Sequence, residues 1–440
     1  MACSGIESKP LTFKEFLEKV SSPTPALPTD EGTNEEPPVQ LRAVRIDPYD
    51  ESVPLRPNEI APFITAEAMD YMHKQGCPLS YIPSIVYVLR NKILSDDALQ
   101  KCKIDRPKGL PDKINYDRYH VTKIQELFAS ALREFSVSWL AEDTQPPRPL
   151  ECSGLSVSVH SDRGKRRSME DRHFICLNTD ALLGKKCLDD NVGALCCVFD
   201  GHGGFNAAEY TYHQLFDRLL THSEIDTNTH KAMRESFLSI DQSFQELSEL
   251  ERWKCGSTAL VVYMRGTDKM HVGWAGDSQA FLFRREDIVK IMTPHKPEDE
   301  SEKARIEKAG GVVVYLGAWR VNGVLSVARA IGDIQQKPSI TAEPDINTID
   351  LNGEEDYLVM ACDGLWDAID PDKIPTLIDE HFKNGGLQEA TAEFLVKKAL
   401  KHGSMDNITI IVLFFPTYKP PKKQLSQPNK EMSLADYFNK

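Results

Sequence analysis

Two patterns of hydrophobic and polar residues divide the chain. Up to about residue 143, apolar residues recur every three or four positions, which is the period of amphipathic helices. The clearest case is HVTKIQELFASALREFSVSWL, residues 120–140, where one apolar stripe runs the length of the segment. From about residue 153, short continuous apolar runs of strand length occur instead, separated by turn residues and some longer helical stretches. The pattern therefore predicts a helical part followed by a mixed α+β part.

The helical part has two pieces. Thr12 to Val20 is predicted to form a short helix, because Thr12 and Glu15 have the spacing of a capping box. The proline- and acid-rich stretch after it is typical of a flexible linker, so residues 1–58 are predicted to be a short helix plus a disordered linker. Residues 59–145 are predicted to be a helical domain, in which Ala66 to Gln75 forms one helix that ends at Gly76. The domain's apolar stripe either closes a small bundle or serves as a groove for a partner or a docked regulatory helix.

The second part begins after TQPPRPLE, residues 144–151, which interrupts any helix. Short strands joined by tight turns, with helices grouped between them, favour an α+β fold with antiparallel sheets over an alternating parallel one. The predicted strand runs are 155–159, 194–199, 258–263, 271–274, 280–283, 357–361 and 408–415, and the helical stretches are 205–220, 231–250, 300–308 and 390–401. We expect this domain to span 153–416 and to be followed by a flexible tail, 417–440.

Composition and charge narrow the function classes. The formal net charge of −14 argues against a nucleic-acid binder or an anionic-membrane binder, both of which need a basic surface. No apolar run reaches the length of a membrane span, and the N-terminus lacks a secretory hydrophobic region. The ten cysteines include no CxxC pair, so reduced buried thiols are expected rather than a zinc site or a disulfide framework. We therefore expect a cytoplasmic protein, with the nucleus as the alternative.

Acidic residues lie at the ends of several predicted strands. In CCVFDGHGGF, residues 196–205, an apolar run leads directly into Asp200, and YLVMACDGLWD repeats the design at Asp363. The acids placed in this way are Glu170, Asp171, Asp200, Asp277, Asp363 and Asp406. Each alone is also typical of a turn, because Asp before Gly, Ser or Asn is common there. For Asp277 a plain hairpin turn is an equal alternative.

Together these strand-end acids predict a metal site, provided that the sheets bring Glu170, Asp171, Asp200, Asp363 and Asp406 into one volume. Clustered carboxylates repel one another and resist desolvation unless cations neutralise them. Oxygen ligands with little His and no Cys select Mg²⁺ or Mn²⁺ over zinc. A pair of such ions would attract an anionic substrate, activate a water and stabilise in-line displacement at phosphorus.

Two further residues fit phosphoryl chemistry. Arg166 lies in RGKRR, residues 163–167, and a guanidinium can hold a phosphoryl group by two parallel hydrogen bonds. A solvated basic loop is the alternative for this run. His202 follows Asp200 by two residues, close enough to donate a proton to a departing alkoxide.

Eight motifs in one order resemble those of the metal-dependent protein phosphatases of type 2C, over about residues 153–415. They are RRSMEDRH (166–173), VFDGHGG (198–204), GSTALV (256–261), WAGDSQ (274–279), HKPEDESEKARIEKAGG (295–311), WRVNGVLSVARAIGD (319–333), ACDGLWD (361–367) and MDNITIIV (405–412). Their variants are most similar to the calmodulin-dependent-kinase phosphatase subfamily, which includes the nematode feminisation-pathway phosphatase and carries an N-terminal extension. Gln279 departs from the wider family, where an arginine commonly follows GDS.

The resemblance implies a sandwich of two antiparallel β-sheets flanked by helices, with the metals at one edge of the sheets. It implies that Asp200 bridges two Mg²⁺ or Mn²⁺ ions. The Gly201 carbonyl and Glu170 would hold one ion, and Asp363 and Asp406 would complete the other.

By the same resemblance, Asp171 acts through bound water and Asp277 belongs to a weaker third ion. Arg166 matches the phosphate-binding arginine and His202 the general acid. Thr258 and Asp367 lie in motifs that line the same region. The segment 295–311 matches a flap beside the site that influences substrate choice.

The implied function is a protein serine/threonine phosphatase, a hydrolase of dephosphorylation signalling. A hydroxide bridging the two metal ions would attack phosphorus directly, without a covalent phosphoenzyme. Phosphoproteins are the expected substrates, protein kinases among them, and the helical domain is expected to bind a protein partner or to regulate. The alternative function is a regulatory scaffold in which residues 59–143 bind partners and catalysis is secondary.

Overall fold

The computed structural model describes residues 11–22, 53–95, 97–106, 117–142, 154–185, 192–285 and 287–421. Most of the predicted linker and most of the predicted C-terminal tail lie outside these residues, and so does the break at 144–151.

Most of the predicted helices begin close to their predicted positions, and four short or unpredicted helices are added to them among the described residues. The helices are α1 (Phe13–Ser21), α2 (Pro57–Lys74), α3 (Ile82–Ser95), α4 (Ala98–Lys101), α5 (Val121–Glu142), α6 (Thr179–Leu182), α7 (Asn206–Leu220), α8 (Thr229–Glu251), α9 (Glu300–Lys308), α10 (Asp363–Trp366), α11 (Ile374–Lys383) and α12 (Thr391–Lys401). The added helices are α4, α6, α10 and α11. The predicted capping box of α1 is present, since Thr12 Oγ1 accepts from the Glu15 N–H at 3.3 Å and the Glu15 carboxylate accepts from the Thr12 N–H at 2.6 Å. Helix α2 begins at Pro57, well before the apolar stretch that predicted it, because proline suits the first turn of a helix.

The strands form two five-stranded antiparallel sheets and two smaller ladders. They are β1 (Ser156–Asp162), β2 (Arg172–Cys176), β3 (Gly193–Phe199), β4 (Gly201–His202), β5 (Gly256–Ser257), β6 (Ala259–Arg265), β7 (Lys269–Ala275), β8 (Gln279–Arg284), β9 (Asp287–Lys290), β10 (Val313–Tyr315), β11 (Trp319–Val321), β12 (Ile331–Gly332), β13 (Asp345–Asp350), β14 (Tyr357–Ala361) and β15 (Ile408–Phe414). One large sheet has the order β1-β15-β14-β8-β9 and the other β13-β7-β6-β3-β2. The predicted α+β sandwich of antiparallel sheets flanked by helices is confirmed.

The central strands are buried on both faces. In β3, Cys196 belongs to the core between the sheets, whereas Cys197 belongs to the core beneath helices α7 and α8. In β15, Ile411 faces the same inter-sheet core and Ile410 faces helices α11 and α12. Successive side chains of a strand point to opposite faces, so covering both faces requires an apolar residue at every position. This is why the strands are continuous apolar runs rather than alternating ones.

The N-terminal helices pack directly on the sandwich. One cluster of buried apolar residues contains Phe63 of α2 and Leu89 of α3 together with Phe174 of β2 and Phe216 of α7. The Tyr212 hydroxyl of α7 also donates a hydrogen bond to the carbonyl of Ala66 in α2, at 2.7 Å. The boundaries at 58, 145 and 153 remain predictions, but the shared core shows that the helical part covers one face of helix α7.

The described residues also bear on membrane spans and on the state of the cysteines. Among the described helices, none combines the length and the apolar character that a bilayer span requires. The described cysteines are free and buried: Cys77, Cys102, Cys176, Cys196, Cys197, Cys255 and Cys362.

Candidate metal centre

Strand β3 ends just before Asp200, which Thr258 holds through both its hydroxyl and its backbone N–H. The Asp200 N–H donates to Thr258 Oγ1 at 3.1 Å, and the Thr258 N–H donates to the Asp200 carbonyl at 2.9 Å. Thr258 Oγ1 in turn lies 2.8 Å from the Ser278 hydroxyl, beside Asp277. The motif containing Thr258 therefore positions the strand end that bears Asp200.

Carboxylates from four separate segments converge at this edge. One oxygen each of Asp200, Asp277 and Asp363 lies within 4.8 Å of the others. Asp171 and Cys362 Sγ form a second such group with Asp200. Of the acids predicted to gather, Asp171, Asp200 and Asp363 therefore lie close together, and Asp277 joins them.

Burial and mutual repulsion raise the pKa values of the clustered carboxylates. Burial first, and then the charges of Asp171 and Asp363, raise the pKa of Asp200 well above its ordinary value. Burial is also the main reason that the pKa of Asp171 is raised to about 6 and that of Asp363 to about 8. Without a cation, the cluster therefore holds protons near neutral pH, since two adjacent carboxylates do not both ionise easily.

Asp171 supplies an independent sign of a missing partner. Its Oδ2 accepts a hydrogen bond from the Thr409 hydroxyl at 2.8 Å, but its Oδ1 is buried and has no hydrogen-bond partner among the described residues. Buried acceptors are almost always satisfied in folded proteins. A divalent cation, or a water bound to it, fits this oxygen, and a set of hard oxygen ligands fits Mg²⁺ or Mn²⁺.

Lys296 places a cation against the cluster, and no role was predicted for it from sequence. Its Nζ lies 2.5 Å from the Asp277 carboxylate, and the lysine follows His295 in the motif HKPEDE. Burial lowers the pKa of Lys296, but the charge and hydrogen bond of Asp277, together with the charges of Asp363 and Asp367, outweigh burial and raise it overall. A third metal ion at Asp277 would therefore compete with this ammonium group.

Glu170 and Gly201 lie next to one another at the rim of the cluster. The Glu170 carboxylate accepts hydrogen bonds from the Gly204 N–H at 3.0 Å and from the Ser168 hydroxyl at 2.8 Å. A Cβ at position 201 would come within 2.4 Å of the Glu170 carbonyl oxygen, so only glycine lets β4 approach this closely. Glu170 is adjacent to the cluster but outside both close groups of ligand atoms.

Asp406 and Arg166 form an ion pair at the other rim. Arg166 Nη2 lies 2.5 Å from Asp406 Oδ2, and the arginine side chain is 60% exposed. A cavity of about 240 Å³ opens beside them and is also lined by Asp363 and Asp367. Asp367 thus lies where the motif predicted it. A cavity of about 760 Å³ between α8 and β13 contains no member of the acid cluster in its lining.

His202 is held by Asp333, a second residue for which no role was predicted from sequence. Its Nε2 lies 2.7 Å from Asp333 Oδ2, and Asp333 is 4% exposed. Burial lowers the pKa of His202, but the hydrogen bond and the charge of Asp333 outweigh burial and raise it. Asp333 also has a left-handed backbone, with φ 49°, which is unusual for a residue with a side chain. The protonated imidazole that a general acid needs is therefore favoured here.

Gly256 on β5 tests how closely this pair is packed. We expect Gly256→Ala to separate the pair, because the added Cβ would lie 2.1 Å from Asp333 Oδ2 and 2.6 Å from His202 Nε2. The expected results are a lower pKa of His202 by NMR titration and a loss of about 1–3 kcal/mol in stability. Gly273→Ala on β7, where the Cβ meets Met233 Sδ at 3.2 Å, is the control that leaves the His202 pKa in place. An unchanged His202 pKa in Gly256→Ala would contradict the role of Asp333.

Comparison with known proteins gives one family. The model of the family described as protein phosphatase 2C matches residues 155–408. Mouse protein phosphatase 1E is 35% identical over 347 residues, which are 79% of this chain and 45% of that protein. Human protein phosphatase 1F is 38% identical over 309 residues, which are 70% of this chain and 66% of that protein. The chain thus spans about half the length of protein phosphatase 1E.

Solved structures share the fold. A sex-determining protein of C. elegans matches with a TM-score of 0.68 at 24% identity, covering 82% of this chain and 88% of that one. A serine-threonine phosphatase 2C from Toxoplasma gondii matches with a TM-score of 0.52 at 22% identity, covering 59% of this chain and 95% of that one. The match to the C. elegans protein covers more of this chain than the match to the Toxoplasma gondii protein does. The resemblance predicted from the eight motifs is confirmed.

Proposed function

Because the chain belongs to the protein phosphatase 2C family, we propose that it hydrolyses phosphoserine and phosphothreonine in proteins with bound Mg²⁺ or Mn²⁺. The observation that carries the proposal is the approach of the Asp200, Asp277 and Asp363 carboxylate oxygens to within 4.8 Å of one another. Such a cluster of buried carboxylates destabilises the folded protein when no cation is bound, and bound cations neutralise its charge.

We assign two ions to the cluster, with Asp200 between them, and a weaker third ion to Asp277. Glu170 and the Gly201 carbonyl would hold one of the pair, and Asp363 and Asp406 the other. When bound, the ions supply an activated water and neutralise the charge of the phosphoryl group. The orphaned oxygen of Asp171 supports its predicted action through a metal-bound water.

The residues that would handle the substrate lie around this cluster. Arg166 is exposed at the cavity that Asp363 and Asp406 line, so its guanidinium can bind two oxygens of a phosphoryl group. His202, whose pKa is raised by Asp333, can give its proton to the serine or threonine oxygen as it leaves. The flap segment 295–311 contains helix α9, and the exposed hairpin β10–β11 follows it. We assign substrate selection to this region.

The partners and the compartment are part of the proposal. We take phosphoproteins, including protein kinases, as substrates, and a protein partner for the N-terminal helices, where Val88 of α3 and Val137 of α5 are half exposed. Those exposed apolar residues also support the second candidate function, a regulatory scaffold in which catalysis is secondary. The buried free thiols support a reducing compartment, the cytoplasm or the nucleus.

Hydrolysis of a phosphothreonine peptide tests the proposal. We expect turnover with Mg²⁺ or Mn²⁺, its loss with a chelator, and its return when metal is added in excess. Arg166→Ala should raise KM for the peptide by about 10-fold or more, since it removes a charge-assisted contact to the phosphoryl group. Arg167→Ala, the next residue in the same basic run, is the matched control and should leave KM unchanged. Turnover that persists in the chelator would contradict the metal assignment.

A further inference from the structure

A buried carboxylate of helix α2 contacts helix α7 of the sandwich. Glu67 is 4% exposed, and its Oε1 lies 2.9 Å from His213 Nε2. Its Oε2 accepts a hydrogen bond from Gln125 of α5 at 3.3 Å. Two N-terminal helices therefore meet at the Glu67 carboxylate, which pairs with the buried imidazole of His213.

The same imidazole faces a second carboxylate, on its own helix. His213 Nε2 lies 3.7 Å from Glu209 Oε1, and Glu209 is 2% exposed. The other Glu209 oxygen, Oε2, accepts a hydrogen bond from Arg172 Nε. Charges buried to this degree must pair with one another, so the direction of the Glu209 carboxylate depends on both neighbours.

Arg172 carries the chain of contacts to the metal centre. Its Nη1 donates to the carbonyls of Asp171 at 2.8 Å and Met169 at 3.3 Å, which lie on either side of Glu170. Arg172 also pairs with Phe199 in the sheet, directly before Asp200. One guanidinium therefore clamps the backbone of the loop that presents Glu170 and Asp171.

We propose that Glu67 is a positioning residue for the metal centre, and that the N-terminal helices thereby set its affinity for divalent cations. The inference rests on the proposed metal-binding function of the cluster. Without the Glu67 oxygens, Glu209 Oε1 is the remaining carboxylate oxygen within 4 Å of His213 Nε2 among the described residues. The imidazole then draws Glu209 away from Arg172, and the clamp on the ligand-bearing loop loosens.

Loosening of this kind lowers affinity because metal ligands bind tightly only when their supports hold them in place. Glu209 is already engaged by Arg172, so the group formed by Glu67, Glu209 and His213 acts as a support rather than as a second metal site. A partner that shifts helix α2 would use the same contacts to change metal occupancy.

The test is a titration of the full chain with Mn²⁺, in which binding is measured by the decrease of the EPR signal of free Mn²⁺. Glu67→Met keeps the volume of the side chain and removes both acceptor oxygens. We expect it to weaken Mn²⁺ binding by about 3- to 30-fold, the usual range for a coupling of this kind. Glu67→Gln keeps an acceptor for His213 and should restore affinity to within about 2-fold of the wild type.

Glu59→Met is the matched control. Glu59 is a second buried glutamate of α2, and its carboxylate accepts hydrogen bonds from the Tyr210 hydroxyl of α7 at 3.5 Å and from the Arg56 N–H at 2.7 Å. Among the described residues, no hydrogen bond or ion pair links it to His213, Glu209 or Arg172. Glu59→Met should lose stability without losing Mn²⁺ affinity. If the Met variants do not fold, Glu67→Ser and Glu59→Ser make the same comparison, because serine admits a water.

The outcomes separate this inference from the proposed function. Equal Mn²⁺ affinity in the wild type and Glu67→Met, or an equal loss in both Met variants, overturns the positioning role while phosphatase activity stands. A wild type that binds Mn²⁺ but hydrolyses no phosphopeptide contradicts the proposed function, and the comparison of Mn²⁺ affinities still tests the positioning role. A loss confined to position 67, with recovery in Glu67→Gln, supports it.

Discussion

Asp200→Asn is expected to reduce phosphopeptide turnover by at least about 10²- to 10³-fold while making the metal-free protein more stable. Turnover falls because Asn at this position removes the anionic oxygens at the centre of the cluster, which includes Asp277 and Asp363. Stability rises because the same change relieves repulsion among carboxylates whose ionisation burial already disfavours. We expect the unfolding temperature of the metal-free protein to rise by about 2–4 °C.

The pH dependence of this gain has a definite sign. Folding raises the pKa of Asp200, so the unfolded chain ionises first as the pH increases from about 4. The metal-free wild type therefore loses stability from that pH up to the pKa of the folded state, and Asp200→Asn does not. The advantage of the variant should be small near pH 4 and larger near pH 7.

Thermal unfolding at both pH values, with a chelator and with Mn²⁺, checks this prediction. Asp287→Asn, an exposed carboxylate on β9, is the control and should change neither turnover nor stability. Mn²⁺ should stabilise the wild type more than Asp200→Asn. A variant that is active, or that is less stable than the wild type without metal, would show that Asp200 does not lie in a strained cation site.

His202→Gln is expected to lower kcat for a phosphothreonine peptide by about 10²- to 10⁴-fold, the usual contribution of a general acid. An alkoxide is a poor leaving group and needs a proton, whereas a nitrophenolate leaves without one. The loss should therefore be much smaller with an aryl phosphate. Similar losses on both substrates would contradict the proton-donor role and indicate damage to the metal centre beside Gly201.

Asp333→Asn refines the same experiment. Asp333 raises the pKa of His202 against the opposing effect of burial, and the acid works only while it is protonated. Activity should therefore be lost as the pH rises through the His202 pKa, and in Asp333→Asn this loss should begin at a lower pH. Measured kcat–pH profiles of the wild type and Asp333→Asn check this prediction. A folding defect alone would lower kcat by the same factor at every pH and would not change the pH at which activity is lost.

Much of the fold could be predicted from the chain because its periodicities are local. Helix α9 occurs at Glu300–Lys308 and strand β14 at Tyr357–Ala361, which are the predicted bounds. Strands buried on both faces are unbroken apolar runs, and Asp200 and Asp363 end such runs. The predicted start of α2 was late, because its first turn begins with a proline and carries little apolar pattern.

The sequence by itself determined the acid-tipped strands, the residue types of a hard-metal site and the family they resemble. Only the tertiary structure decided which groups face them: Lys296 against Asp277, Asp333 against His202, and Glu67 behind Arg172. The reason is physical. Residue type and period are properties of neighbours along the chain, whereas desolvation and pairing of charges depend on atoms brought together from distant segments.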